Sequence, residues 1–128
     1  MDFVTFEIAK KLKEKGFDYK CIAYYYGGRA DVSIASLLPK DHNRSDSLYR
    51  KTSAPTIAQV LKWLREEKLI LIGLFPIQEY GGDEMVEWCA NIYKTDNKSG
   101  LSWKKTLYYQ SYEAAALAGI EYVLDNLI

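Results

Sequence analysis

His42 is the only histidine in the sequence, so a Ser-His-Asp or Cys-His site would have to be built on it. It stands in Lys40-Asp41-His42-Asn43-Arg44, a polar run with neither cysteine close to it, and reads as part of a solvated loop. Cys21 and Cys89 lie far apart, and with one histidine they do not supply the three or four ligands of a zinc site. Gly27-Gly28 and Gly81-Gly82 lack the Gly-Lys-Ser/Thr ending of a phosphate-binding loop and read as turns. Glu79, Asp83, Glu84 and Glu87 would suit a metal-dependent nuclease or a glycosidase if a cleft gathered them. Flanking a hairpin turn, they are expected to point into water. No catalytic residue, metal or cofactor is therefore assigned, and an enzyme such as a small hydrolase ranks third, behind two binding readings.

Both binding readings start from aromatic and basic residues. The chain has 11 Tyr, and Tyr24-Tyr25-Tyr26 in a strand must send rings to both faces. If helices cover one face of the sheet, Tyr24 or Tyr25, with Tyr93 or Tyr108, is left on the other. Trp63, beside the buried stripe of a helix, would extend that surface around an edge. Tyrosine suits a surface that is both wet and adhesive, so a protein-contact face and a two-fold homodimer are expected. The alternative is a nucleic-acid-associated protein. Arg44, Tyr49, Arg50 and Lys51, in the basic segment 40–51, could grip phosphate and stack on bases.

Charge weighs against the alternative. Lys plus Arg and Asp plus Glu each number 17, so no net positive charge favours non-specific coating of nucleic acid. The asymmetry is slight: residues 1–55 carry ten basic side chains against seven acidic ones. With 48% hydrophobic and 27% charged residues, the 128 residues read as one folded domain. The apolar run 69–77 is too short to cross a bilayer, so no membrane partner is expected. Met1-Asp2-Phe3 has no signal-peptide character. With that start, the two cysteines read as reduced thiols and the compartment as cytoplasmic.

The elements that must position these residues follow from periodicity. A helix is predicted over 5–15, with Thr5 as N-cap and Gly16 past its end. A strand follows over 20–26. Residues 29–53 form a long polar loop or insertion, within which 32–38 could hold a short strand or a helical turn. A helix over 56–68 opens with Thr56 and Gln59 as a reciprocal cap. The strand 69–78 is apolar on both faces and is expected at the centre of the sheet. Residues 84–94 alternate, with Trp88, Ala90 and Ile92 on one face and Cys89, Asn91 and Tyr93 on the other. Residues 101–109 alternate through Leu101, Trp103, Leu107 and Tyr109. Ser111 caps a last helix whose Ala114, Ala115, Ala118 and Gly119 permit close packing. The expectation is an α+β domain of order α-β-loop-α-β-β-β-α, with one mainly antiparallel four-stranded sheet and helices on one face. Its core holds Ile8, Leu12, Ile57, Val60, Leu61, Leu64, Ile120, Val123, Leu124 and Leu127.

The segments Lys11-Leu12-Lys13-Glu14-Lys15-Gly16-Phe17, Ala54-Pro55-Thr56 with Gln59 and Lys62-Trp63-Leu64-Arg65-Glu66-Glu67, and Tyr109-Gln110-Ser111-Tyr112-Glu113-Ala114-Ala115 resemble those of a group of small uncharacterised bacterial proteins. That group is common in phages and integrated mobile elements. The resemblance spans most of the chain outside 29–53 and rests on caps, helix stripes and an aromatic. It implies an accessory protein of a bacterial cytoplasm, and assigns no chemistry to any residue. Together these readings predict a small cytoplasmic, non-enzymatic binding or accessory module.

Overall fold

Each helix begins where a side chain can take up a free backbone N–H. The computed structural model describes residues 2–27, 31–34, 38–44, 51–78, 86–96 and 100–128. They fall into two compact units, Met1–Trp63 and Leu64–Ile128.

In the first unit, α1 (Phe6–Glu14) starts at Thr5, whose hydroxyl accepts from the Ile8 N–H at 3.3 Å. It ends at Gly16, with φ at +86°, a conformation that costs glycine little. The Phe17 N–H then donates to the Leu12 carbonyl at 3.0 Å, and the Gly16 N–H to the Lys13 carbonyl at 3.2 Å. This pair of bonds is the Schellman closure. It turns the chain so that Phe17 is buried, with its ring 5.3 Å from that of Trp63. The sheet of this unit has the order β2-β1-β3, with β1 (Ala23–Tyr26) antiparallel to both β2 (Val32–Ile34) and β3 (Lys51–Ser53). Tyr25 is buried and its hydroxyl donates to the Val4 carbonyl. Helix α2 (Ile57–Glu67) opens with the expected reciprocal cap. The Thr56 N–H donates to Gln59 Oε1 at 2.9 Å, and the Gln59 N–H donates to Thr56 Oγ1 at 3.2 Å.

In the second unit, β4 (Ile70–Gln78), β5 (Val86–Asp96) and β6 (Gly100–Tyr109) form an antiparallel meander in the order β4-β5-β6. Helix α3 (Tyr112–Asn126), capped by Ser111 on the Ala114 N–H at 3.1 Å, packs on one face of it. A Cβ on Gly119 would meet Ile72 Cγ2 at 3.3 Å and Ala90 Cβ at 3.5 Å, so those residues mark the covered face.

The structure is α+β and antiparallel, as expected, but the single four-stranded sheet is not found. Among the described residues two three-stranded sheets replace it. A strand cannot leave its backbone groups unpaired in a folded interior. The partners of β1 come from 29–53: β2 lies in the 32–38 stretch that could hold a short strand, and β2 and β3 are three residues each, too short to give a periodic signal. The strand β4 is likewise an edge strand and not the central one, which suits Pro76 within it. The expected core is buried at Ile8, Leu12, Ile57, Val60, Leu64, Ile120, Val123 and Leu124, whereas Leu61 and Leu127 are half-buried.

Two stability predictions follow. Leu64→Ala should cost about 2–5 kcal/mol in urea unfolding, and Leu61→Ala distinctly less, because Leu64 is fully buried and Leu61 is not. Equal losses would show that the two sites are packed alike. Leu69, between α2 and β4, has φ at +56° and its side chain is 43% exposed. A left-handed conformation costs a non-glycine residue roughly 1–2 kcal/mol, and glycine relieves it. Leu69→Gly should therefore raise stability by up to about 1 kcal/mol after glycine's entropic cost, read as a higher urea midpoint.

Candidate functional site

Two places bring reactive or adhesive side chains together. The first lies in the first unit, where folding carries His42 to Cys21. The expected solvated loop is corrected here. His42 begins a single 3-10 turn, His42–Arg44, and is 5% exposed. Its Nε2 lies 3.1 Å from the Cys21 carbonyl oxygen, so Nε2 carries the proton and donates. The His42 N–H donates to Ser53 Oγ at 3.0 Å. Asn43 continues the network: its Nδ2 donates to the Phe17 carbonyl at 2.9 Å, and its Oδ1 accepts from the Ser53 N–H at 2.9 Å. The Lys40 and Cys21 backbones exchange N–H and C=O bonds at 3.0 and 2.8 Å.

This is a Cys-His neighbourhood without the geometry of a nucleophile. The imidazole meets the cysteine's backbone, and Cys21 Sγ donates to the Tyr19 carbonyl at 3.4 Å. Burial pushes the Cys21 thiol up to about 12, against a weaker opposing bond from Ser53. An attacking cysteine needs the opposite shift. Burial holds the His42 imidazole below its ordinary value; the bond to Cys21 opposes this, and Lys51 and Lys40 reinforce it. The cluster ties β1, the 3-10 turn and β3 together.

The second place is the face of β4-β5-β6 away from α3. Strand alternation puts Leu71, Gly73 and Phe75 there, because Ile72 faces the helix. Across the ladder Leu71 pairs with Tyr93, Gly73 with Asn91 and Phe75 with Cys89. On the other side of β5, Cys89 pairs with Tyr108 and Asn91 with Thr106. Between Ile92 and Tyr93 the register slips: Ile92 opposes Lys105, but Tyr93 opposes Trp103. Lys104 is the extra residue of this bulge. The expected single-face alternation of 101–109 is corrected accordingly. Leu107 and Tyr109 share the helix face, whereas Leu101 and Trp103 are turned to the open one.

The open face is aromatic and exposed. Phe75 is 54%, Tyr108 59%, Trp103 60% and Leu101 57% accessible. Trp103 is also held in place. Its Nε1–H donates to Thr106 Oγ1 at 2.9 Å, and the Thr106 hydroxyl donates to Asn91 Oδ1 at 2.7 Å. The Cys89 thiol donates to the same oxygen at 3.5 Å. The Phe75 ring leans over Gly73, where a Cβ would lie 2.8 Å from Phe75 Cε2. Among the described residues, Glu87 is the only acidic or basic side chain in the alternation of this face, with Lys104 out of register at the bulge.

The residues singled out in sequence are thus divided. Tyr93 and Tyr108 share the open face of the second unit, with Tyr93 half-buried. Trp63 is 2% and Tyr25 3% exposed, so neither belongs to a contact surface. Tyr24 is half-buried, with its ring 4.9 Å from that of His42 and Lys51 Nζ 4.6 Å from its centroid. Of the basic segment, Lys51 is on β3, Arg44 closes the 3-10 turn with its side chain outside the described residues, and Tyr49 and Arg50 lie outside them altogether. Glu87 is on β5; Glu79, Asp83 and Glu84 lie outside the described residues. Phe75 and Trp103 were not singled out. The doubled apolar pattern of β4 was the available signal, since it arises from an apolar open face and not from a central position.

Other chemistry has little to stand on. Among the described residues no group of three or more His, Cys, Asp and Glu could hold a metal, and no buried polar side-chain atom lacks a partner. A depression of about 330 Å³ beside β6 and α3 holds Tyr109, Glu121, Tyr122 and Asp125, but both carboxylates are exposed. No helix among the described residues is long and apolar enough to cross a membrane. Compared with family models, curated proteins and solved structures, the chain matches none.

The His42 shift has a measurable consequence. Its folded value lies below its ordinary 6.5, so on acidification the unfolded chain binds the proton first. Stability from this group is complete above about pH 6.5 and falls as pH drops below it, until the folded imidazole itself protonates. Urea midpoints for His42→Gln should fall less steeply than wild type over that window. Parallel curves would mean that His42 titrates alike in both states.

Proposed function

We propose that the protein is a small non-enzymatic binding module of the bacterial cytoplasm, an accessory protein of phage or mobile-element descent. It acts through protein contacts made by the open face of β4-β5-β6. The observation that carries this is the set Phe75, Trp103 and Tyr108, each more than half exposed on one sheet face. Soluble domains seldom leave large aromatic side chains grouped in the open without a partner for them. The anchoring of Trp103 supports the same reading, because a ring already fixed loses little freedom on contact. A nucleic-acid strand stacking on this face would also need a row of cations along it, whereas among the described residues the face carries Glu87 and a single Lys104 at the bulge.

The test is capture on immobilised wild-type protein and on Tyr108→Glu, from the same cell extract. Polypeptides held by wild type and lost by the variant are the expected result. Nucleic acid held equally by both, and released by salt as phosphate contacts are, would overturn the reading in favour of the basic segment 40–51.

A further inference from the structure

Resting on that reading, we infer that the occupant of the open face is a second copy of the same chain, packed sheet on sheet about a two-fold axis. Charge argues first. Among the described residues the face carries Glu87 in its alternation and Lys104 at the bulge, one charge of each sign, so these residues offer no row of counter-ions to a strongly acidic or basic partner and match a surface as neutral as themselves. The whole chain is also neutral, so two copies meet without net repulsion.

Relief argues next. Transverse rows alternate across the sheet. The row of Phe75, Cys89 and Tyr108 is bulky at both ends, the row of Gly73, Asn91 and Thr106 is small and polar, and the row of Leu71, Tyr93 and Trp103 is bulky again. The Phe75 ring leaning over Gly73 and the Trp103 indole bonded to Thr106 carry apolar surface over the ends of the middle row, so the face presents one aromatic patch that can meet a rotated copy of itself, the requirement of a contact that uses one patch twice.

The edges argue against the other mode of association. Adding a strand needs a regular run of free backbone groups. Among the described residues no strand pairs with the outer edge of β4 or β6, and Pro76 interrupts the first while the bulge and the exposed Lys104 and Lys105 break the second. Face packing is what remains. Three strands of about nine residues span roughly 14 by 30 Å. That is at the small end of specific interfaces, so dissociation on the order of micromolar is expected.

Sedimentation equilibrium over a range of about 1–200 µM, bracketing a micromolar constant, decides it. Wild type should rise from its chain mass of 14.7 kDa towards twice that value. Phe75→Glu and Tyr108→Glu should stay at the chain mass throughout, with circular dichroism unchanged. Leu38→Glu, on a 78% exposed side chain of the first unit, should associate like wild type. Gly73→Ala displaces the Phe75 ring without adding charge and should weaken association at least tenfold. A wild type that stays at 14.7 kDa overturns the inference, as does a dimer that survives both face substitutions or is lost in Leu38→Glu. A monomer that still retains a different polypeptide through Tyr108 in the capture experiment overturns self-association alone. A monomer that retains nothing overturns both readings.

Discussion

Helix α3 lies close on β4 and β5 at residue 119, which has no side chain. A Cβ there would crowd Ile72 Cγ2 at 3.3 Å and come into ordinary contact with Ala90, and the neighbouring Ala115 and Ala116 are small and fully buried. Most of the second unit depends on that close seat. It decides which face of the meander is covered, and strand alternation then decides every side chain left on the other. Ile70, Ile72, Ala90 and Ile92 go under the helix. Phe75, Tyr93 and Tyr108 are turned outward by the same periodicity that turns their neighbours in.

The first unit solves a different problem. Its strands are short, and β3, Lys51-Thr52-Ser53, brings little apolar surface. Thr52 and Ser53 are nevertheless buried. Burying polar groups is tolerable when each is hydrogen-bonded, and His42, Asn43 and Ser53 satisfy one another and the backbones of Cys21 and Phe17. A histidine kept neutral by burial fits that role, because a charged imidazole would need solvation that the site does not give.

These two solutions differ in how far sequence reveals them. Local rules were legible wherever one residue acts on its own helix end. Thr5, Gly16, the Thr56–Gln59 pair and Ser111 all do what their chemistry indicates. The helix stripes were legible too, because period 3.6 sums over many residues. The partition into two sheets was not, because β2 and β3 are three residues each, too short for alternation to stand out. His42 looked solvated because its partners are a cysteine carbonyl and a serine distant in sequence. Trp63 looked peripheral because a helical stripe does not reveal a Phe17 ring brought over it by a glycine turn.

The site was half legible, and the hidden half turns on one residue. Read as unbroken alternation, 101–109 puts Trp103 and Leu101 on the face of Leu107 and Tyr109, which is the covered one. Lys104 stands as an extra residue in β6, and everything beyond it changes face. Without the bulge, a tryptophan and a leucine would be directed at the face of the sheet that α3 covers. With it, the helix keeps its close packing and the open face gains its most exposed ring. The bulge also turns Trp103 to the same face as Thr106, where the indole N–H finds a hydroxyl already tied to Asn91. The bulge thus reconciles a helix that needs small neighbours with a sheet face built of large ones.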